Sequence, residues 1–276
     1  MLLVVPRPEG IPAVIDAILE AGGERLMSAA ETAGQFTLMI RSTTSWLFRA
    51  RVEWRQVLIQ MVRIGVQSLP VTAMTTFFTG MVLALQTGAS SRSFFNEPLF
   101  VGTIVGFSMV MELSPVMTAL VVSGRAGAAI AAELGTMKVT DQIDAIYTLG
   151  TDPIRYLVIP RVLAFVAVLP VLTVFSDFAG IFGGWVVSYY KLGIPTHTYW
   201  HDIIDHMVVK NFLHGFAKTF IFGAAIAFIC CFKGITTSGG AEGVGKATTA
   251  AVVISMTSVL ILDYFATAIL VALGIT

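Results

Sequence analysis

Apolar residues in this chain gather into long runs instead of alternating with polar ones. Five stretches, 66–88, 98–123, 161–190, 211–232 and 248–273, each reach the roughly 20 residues that carry a helix across bilayer hydrocarbon. The third is the longest. Dividing it at Asp177 leaves 13 residues up to Tyr190, too few for another crossing, so it reads as one tilted helix. Gly180 and Gly184 stand four apart within it, a small-xxx-small spacing that lets a second helix approach closely. The pattern before the first run is different. Ile11, Val14, Ile15, Ile18 and Leu19 form a stripe with Asp16, Glu20 and Glu24 opposite or beside it, as in an amphipathic helix. From Gln35 to Arg63, aromatic and aliphatic residues such as Phe36, Trp46, Phe48 and Trp54 mix with arginines, which suits a membrane interface or packing on a partner protein. The expected fold is an all-α, polytopic membrane protein, with N-terminal interfacial helices over residues 1–65 and a five-helix transmembrane domain over 66–276.

Composition narrows the class. The chain is 56% hydrophobic and only 12% charged, against about 25% charged in soluble domains, which excludes a soluble globular domain. Its 17 Lys and Arg balance 17 Asp and Glu, which excludes a strongly basic nucleic-acid binder. Cys230 and Cys231 are adjacent inside an apolar run and offer neither a disulfide framework nor a spaced metal site. The apolar run after Met1 is interrupted by Pro6 and Arg7, too early for a signal-peptide core, so internal segments are expected to drive insertion.

The basic residues are unevenly placed. Arg7, Arg25, Arg41, Arg49, Arg51, Arg55 and Arg63 precede the first run; Arg125, Lys138, Arg155 and Arg161 lie between the second and third, and Lys233 and Lys246 between the fourth and fifth. The other side holds Arg92, Lys191 and Lys210. The positive-inside bias then places the N-terminus in the cytoplasm and the C-terminus outside.

Four ionisable residues fall inside the runs: Glu112, Asp177, Lys218 and Asp263. Each costs about 3 kcal/mol on insertion scales, so each should face a cavity or a partner. Counted from the outer ends at ~1.5 Å per residue, Lys218 lies roughly 10 Å deep, Asp263 roughly 15 Å, and Glu112 and Asp177 near 20 Å. Lys218 is therefore expected to pair with Asp263, leaving Glu112 without a basic partner at its depth. Pro115, three residues on, removes a backbone donor and can kink the helix. A kinked span with an unpaired carboxyl group would suit the wall of a pocket for a polar-headed substrate; hydrogen bonding to neighbouring helices is the plainer alternative.

Three further segments invite chemistry. GGAEGVGKATT approximates a phosphate loop, but Ala247 stands where the magnesium-holding hydroxyl belongs and the segment follows a membrane helix, so a flexible cytoplasmic connection is the better reading. In THTYWHDIIDH, His197, His201 and Asp205 fall at i,i+4 steps that could hold zinc, as Asp202 and His206 also do, yet a short polar surface helix looks the same and no metal site is assigned. SGRAGAAIAAELG spaces Gly124, Gly127, Ala131 and Gly135 for close helix packing. It continues into a short helix with an apolar stripe of Val139, Ile143 and Ile146, closed by Gly150 and Pro153, which suits docking in a groove on a cytosolic partner.

GMVLALQ (Gly80 to Gln86), ELSPVMTALVVSGRAGAAIAAELGTMKVTDQIDAI, TDPIRYLVIPRVLA and LDYFATA around Asp263 together resemble the MlaE/YrbE-type permeases of ABC transporters that move lipids between bacterial membranes. Where that family commonly has Arg-Glu-Leu-Gly-Pro, this chain has Met111-Glu112-Leu113-Ser114-Pro115. The resemblance implies a homodimer in the bacterial inner membrane. A cytosolic ABC ATPase dimer, which binds the ATP and Mg, would engage Glu133, Gly135, Met137, Asp141 and Ile143. A periplasmic MCE-domain ring would sit over the outer opening, and a small cytosolic STAS-type regulator belongs to the same picture. Phospholipid or a similar lipid would occupy a cavity lined by Leu83, Gln86, Phe94, Phe95, Leu99 and Glu112, in service of outer-membrane lipid asymmetry. The chain itself would carry no cofactor and no catalytic residue. An ion-coupled secondary transporter with Glu112, Asp177 and Asp263 as a proton relay is the competing reading, although the internal repeats common in such proteins are not evident; an intramembrane hydrolase built on the outer His/Asp cluster is a third.

Overall fold

The computed structural model describes residues 10–49, 53–95 and 100–274, with side chains described there except at 10–22, 24–26, 29, 48–49 and 93–95. Among these residues every regular element is helical. Gly10–Arg49 is one 40-residue helix, α1, and forms a unit by itself. Its expected apolar stripe from Ile11 to Leu19 falls on side chains outside the described residues.

The second unit holds five helices long and apolar enough to cross a membrane: Trp54–Arg92, Val101–Val139, Ile154–Leu192, Val209–Ile235 and Gly240–Ala272, here spans 1 to 5. The protein is thus a multi-pass helical membrane protein. Most of these helices outrun the apolar stretches that announced them. At ~1.5 Å per residue, the 39 residues of span 1 reach roughly 58 Å, about twice the hydrocarbon thickness. Helix α2 (Trp54–Phe95) therefore begins well before residue 66 and includes Trp54, Arg55 and Arg63. A helix that projects beyond hydrocarbon needs no apolar residues there, so its start is invisible to hydropathy.

Span 2 is not a uniform helix. It runs as α3 (Val101–Ser108), a π-helical turn (Met109–Leu113), α4 (Ser114–Val122), a second π turn (Ser123–Gly127) and α5 (Ala128–Val139). A short α6 (Gln142–Thr148) follows. Span 3 is α7 (Ile159–Val187) with a π turn at either end, so the long third run is one helix as its length required. An 11-residue α8 (Thr196–His206) precedes span 4, α9 (Val209–Ile235), and span 5 is α10 (Gly240–Ala272). The phosphate-loop-like segment is not a flexible connection: Glu242 and Lys246 sit in the first turns of α10 and pair at 2.7 Å. The turn before them is made by Gly239 and Gly240, both at positive φ.

Spans 1 and 3 run parallel and side by side over their whole length. Gln56 Nε2 donates to Tyr156 Oη at 3.1 Å at one end, and Arg92 Nη2 donates to the Leu192 carbonyl at 2.6 Å at the other. Between these ends a Cβ on Gly80 would land on the carbonyl of Gly180, and one on Gly183 on the carbonyl of Phe77. Only glycine allows backbones this close. Gly127 of the second π turn packs on the Cys230 side chain of α9, and Gly135 of α5 on the Thr237 side chain just past its end. The core has two clusters, one around Leu134, Phe165, Leu169, Phe222 and Ile226, the other around Val105, Met109, Val187, Tyr199 and Ile203.

Candidate functional site

Span 2 presents Glu112 from a π turn. The widened turn changes the hydrogen-bond register, and Ser114 N bonds to the Met109 carbonyl five residues back. Pro115 has no N–H to give. A nearby carbonyl left without its helical donor needs another, and Lys218 of α9 supplies it: its Nζ donates to Met111 O at 3.2 Å, to Glu112 Oε2 at 2.6 Å and to Asp263 Oδ1 of α10 at 3.1 Å. An ammonium has three N–H bonds, and here each has an acceptor. The Lys218 side chain is fully buried, while Glu112 and Asp263 are 40% and 21% exposed. Thr267 donates to Glu112 Oε1 at 3.3 Å, and His214 Nε2 lies 3.7 Å from the same oxygen. One cation thus ties spans 2, 4 and 5 together.

Lys218 and Asp263 stand side by side, the arrangement their stranded charges suggested. Glu112, expected to lack a basic partner, has Lys218 as its nearest one. Depths counted from apolar runs were misleading because the helices start elsewhere. Glu112 is 11 residues into span 2, Lys218 nine into α9, and Asp263 nine from the end of α10; at ~1.5 Å per residue these depths agree within about 3 Å. Asp177 is separate, buried in α7 beside Ser114.

A cavity of about 360 Å³ opens on span 1, lined by Phe78, Thr79, Val82, Leu83, Gln86 and Leu113. Of the residues the resemblance names, Leu83 and Gln86 are among this lining. Phe94 and Phe95 lie at the end of α2 with side chains outside the described residues, and Leu99 falls outside them altogether. Glu112 is engaged by Lys218 and does not line the cavity, although its neighbour Leu113 does. Phe78, Val82 and Leu113 were missed because pocket-facing and lipid-facing apolar residues look alike in a span, and Thr79 because a lone threonine there gives no sign of which way it faces.

Of the residues read as coupling contacts, Gly135 and Ile143 are buried, Glu133 and Met137 are partly buried, and Asp141 is exposed. Ile143 is 5% exposed and joins the main core, with Met137 and Ile146 packed against it. Gly135 is buried against Thr237. The apolar stripe of α6 therefore covers the chain's own core instead of facing a partner, since that core is the nearest apolar surface. What α5–α6 expose is Asp141, at φ 59°, together with Asp144, Tyr147 and Leu149. Glu133 sits between two arginines, 2.7 Å from Arg63 and 3.0 Å from Arg161.

At the other end of the bundle, α8 lies across α3 and α7. Tyr199 is fully buried and donates from its hydroxyl to the Ile181 carbonyl at 3.0 Å; burial pushes this phenol above its ordinary range. Thr103 donates to the Asp202 carbonyl at 3.1 Å. His201 pairs with Asp205 at 2.7 Å on the exposed face. Among the described residues no group of three His, Cys, Asp or Glu is placed to hold a metal ion.

Five spans, a π-turn carboxylate held by a buried lysine and an apolar cavity on span 1 define a helical membrane protein of the permease type. The sequence profile of the family described as Permease MlaE matches residues 57–269. The chain belongs to that family. A probable ABC transporter permease protein of Rickettsia felis is 41% identical over 250 residues, covering 91% of this chain and 96% of that protein. One from Synechocystis is 39% identical over 242 residues, 88% and 89% of the two chains. The chloroplastic protein TRIGALACTOSYLDIACYLGLYCEROL 1 of Arabidopsis thaliana is 37% identical over 241 residues, 87% of this chain and 66% of that one.

Proposed function

We propose that this chain is the membrane subunit of an ABC transporter that moves phospholipid or a similar lipid between the bacterial inner membrane and a periplasmic MCE-domain carrier. The observation that carries the reading is the apolar cavity on span 1, with Thr79 and Gln86 as its polar groups, in a chain whose relatives are ABC transporter permeases. Such a lining accepts acyl chains and leaves a few hydrogen-bonding groups for a head. The plant relative, whose name is that of a galactolipid, supports a lipid substrate. Two copies of the chain would enclose the path, with the N-terminus in the cytoplasm and the C-terminus in the periplasm, as the thirteen basic residues on one side favour. A cytosolic ATPase dimer would bind ATP and Mg, a STAS-type protein could regulate it, and the exposed face of α5–α6 would receive its motion. The proton-relay alternative is weaker: Glu112 and Asp263 are both committed to Lys218.

The test is purification of the tagged chain from its own membranes, followed by mass spectrometry of bound protein and lipid. An ATPase, an MCE-domain protein and stoichiometric lipid are expected. Transport driven by a proton gradient from the chain alone, with no ATPase, would overturn the proposal.

A further inference from the structure

Apart from the Lys218 site, one ion-pair cluster links three spans, at the arginine-rich end of the bundle. Glu133 of α5 accepts from Arg63 of α2 through Oε2 at 2.7 Å and from Arg161 of α7 through Oε1 at 3.0 Å. The two halves are unequal. The Arg161 side chain is 5% exposed and also donates to the Leu157 carbonyl at 2.7 Å, which fixes it to span 3. The Arg63 side chain is 49% exposed. Water and salt compete with an exposed pair and hardly reach a buried one, so the Arg63 bond is the one that can be broken and remade.

What lies on each side of that bond gives it a role. On one side, α5 leads through Thr140 and Asp141 into α6 with its exposed Tyr147, followed by the exposed Leu149. On the other, α2 runs from Arg63 past Pro70, which removes one helical donor, to Gln86, ~35 Å by helical rise, and ends in the cavity wall. We propose that Glu133 is a latch instead of a docking contact. It stays with Arg161 of span 3, while its bond to Arg63 opens and closes as a cytosolic ATPase moves α5–α6, uncoupling α5 from the span that carries the cavity wall at Leu83 and Gln86. This rests on the permease reading and adds a coupling step to it. Glu133, Arg63 and Arg161 are positioning residues, since none lines the cavity.

The test uses the intact transporter, purified with its ATPase and reconstituted in phosphatidylethanolamine–phosphatidylglycerol vesicles with a fluorescent phospholipid tracer. Arg63→Gln, which leaves the buried Glu133–Arg161 pair intact, should leave ATP hydrolysis near wild type and lower tracer moved per ATP at least about fivefold, the small end of typical coupling strengths. Arg63→Lys should restore much of the ratio. An unchanged ratio in Arg63→Gln overturns the latch. So does loss of the ATPase from that variant, which would make Arg63 part of the docking surface. Spin labels at the exposed Ile59 and Thr136, with the clamp intact, should move apart when the complex is trapped with ATP and vanadate; an unchanged distance also overturns it. A wild-type chain that carries no ATPase overturns the permease reading instead.

Discussion

Lys218 Nζ lies 2.6 Å from Glu112 Oε2, joining residues 106 positions apart on different spans. The same ammonium holds Asp263 and the Met111 carbonyl, so its loss would strand two carboxylates and a backbone acceptor together. Lys218→Met should cost about 3–5 kcal/mol, the usual consequence of removing one partner of a buried pair. Asp263→Asn should cost about 1 kcal/mol or less, because Glu112 still satisfies the lysine. Adding Glu112→Gln to Lys218→Met should recover part of the loss, since contacting residues are not additive. Denaturant unfolding in detergent measures all of these; strict additivity would refute the shared site.

Gly80 is one of the positions where spans 1 and 3 approach backbone to backbone. Gly80→Ala places a methyl group on the Gly180 carbonyl, and backbone cannot step aside as a side chain can. A loss of about 1–3 kcal/mol is expected, as for an overpacked core. Gly34→Ala in α1 has nothing within 4 Å of its added carbon and should be neutral or stabilising by up to about 1 kcal/mol from helix propensity. Thermal melts of the two variants in one detergent separate crowding from propensity.

Tyr199 holds α8 down through its bond to the Ile181 carbonyl. Burial raises its phenol pKa, so the neutral form is the one the fold stabilises. The sign follows: this contribution is complete below the unfolded value of about 10 and is lost as pH rises through the folded value. Alkaline titration should therefore loosen α8 only above about pH 10. Tyr199→Phe should remove that alkaline component and cost about 1 kcal/mol at neutral pH. Hydrogen exchange over Thr196–His206 reads both; an alkaline step that persists in Tyr199→Phe would sink the assignment.

Much of this architecture was legible because membrane spans are written as run length, and run length survives errors of register. Lys218 and Asp263 were legible as partners because stranded charges of opposite sign have few choices. The Glu112 contact was not, because its depth was counted from an apolar run that begins before the helix does. Neither π turn of span 2 has a compositional mark beyond Pro115, which signals a disturbed register without giving its form. Ile143 shows a limit of another kind. An apolar stripe on a short helix says that something covers it, and here the cover is the chain's own core.

Leu83 offers the most direct test of the cavity. Its side chain is half-buried at the cavity wall, so Leu83→Trp would fill the space with an indole. Leu85 is two residues away, 50% exposed and not part of the lining, so Leu85→Trp changes bulk and hydrophobicity equally without entering the cavity. Leu85→Trp should unfold within about 0.5 kcal/mol of wild type, as surface substitutions do. Leu83→Trp, at a residue packed against the second core cluster, should cost about 1–3 kcal/mol at most, so retention is compared at a temperature where both are folded. Lipid retained per chain, measured by mass spectrometry after identical purification, should fall severalfold in Leu83→Trp and stay at the wild-type level in Leu85→Trp. Equal retention in the two variants would mean that the lipid path does not run along this face of span 1.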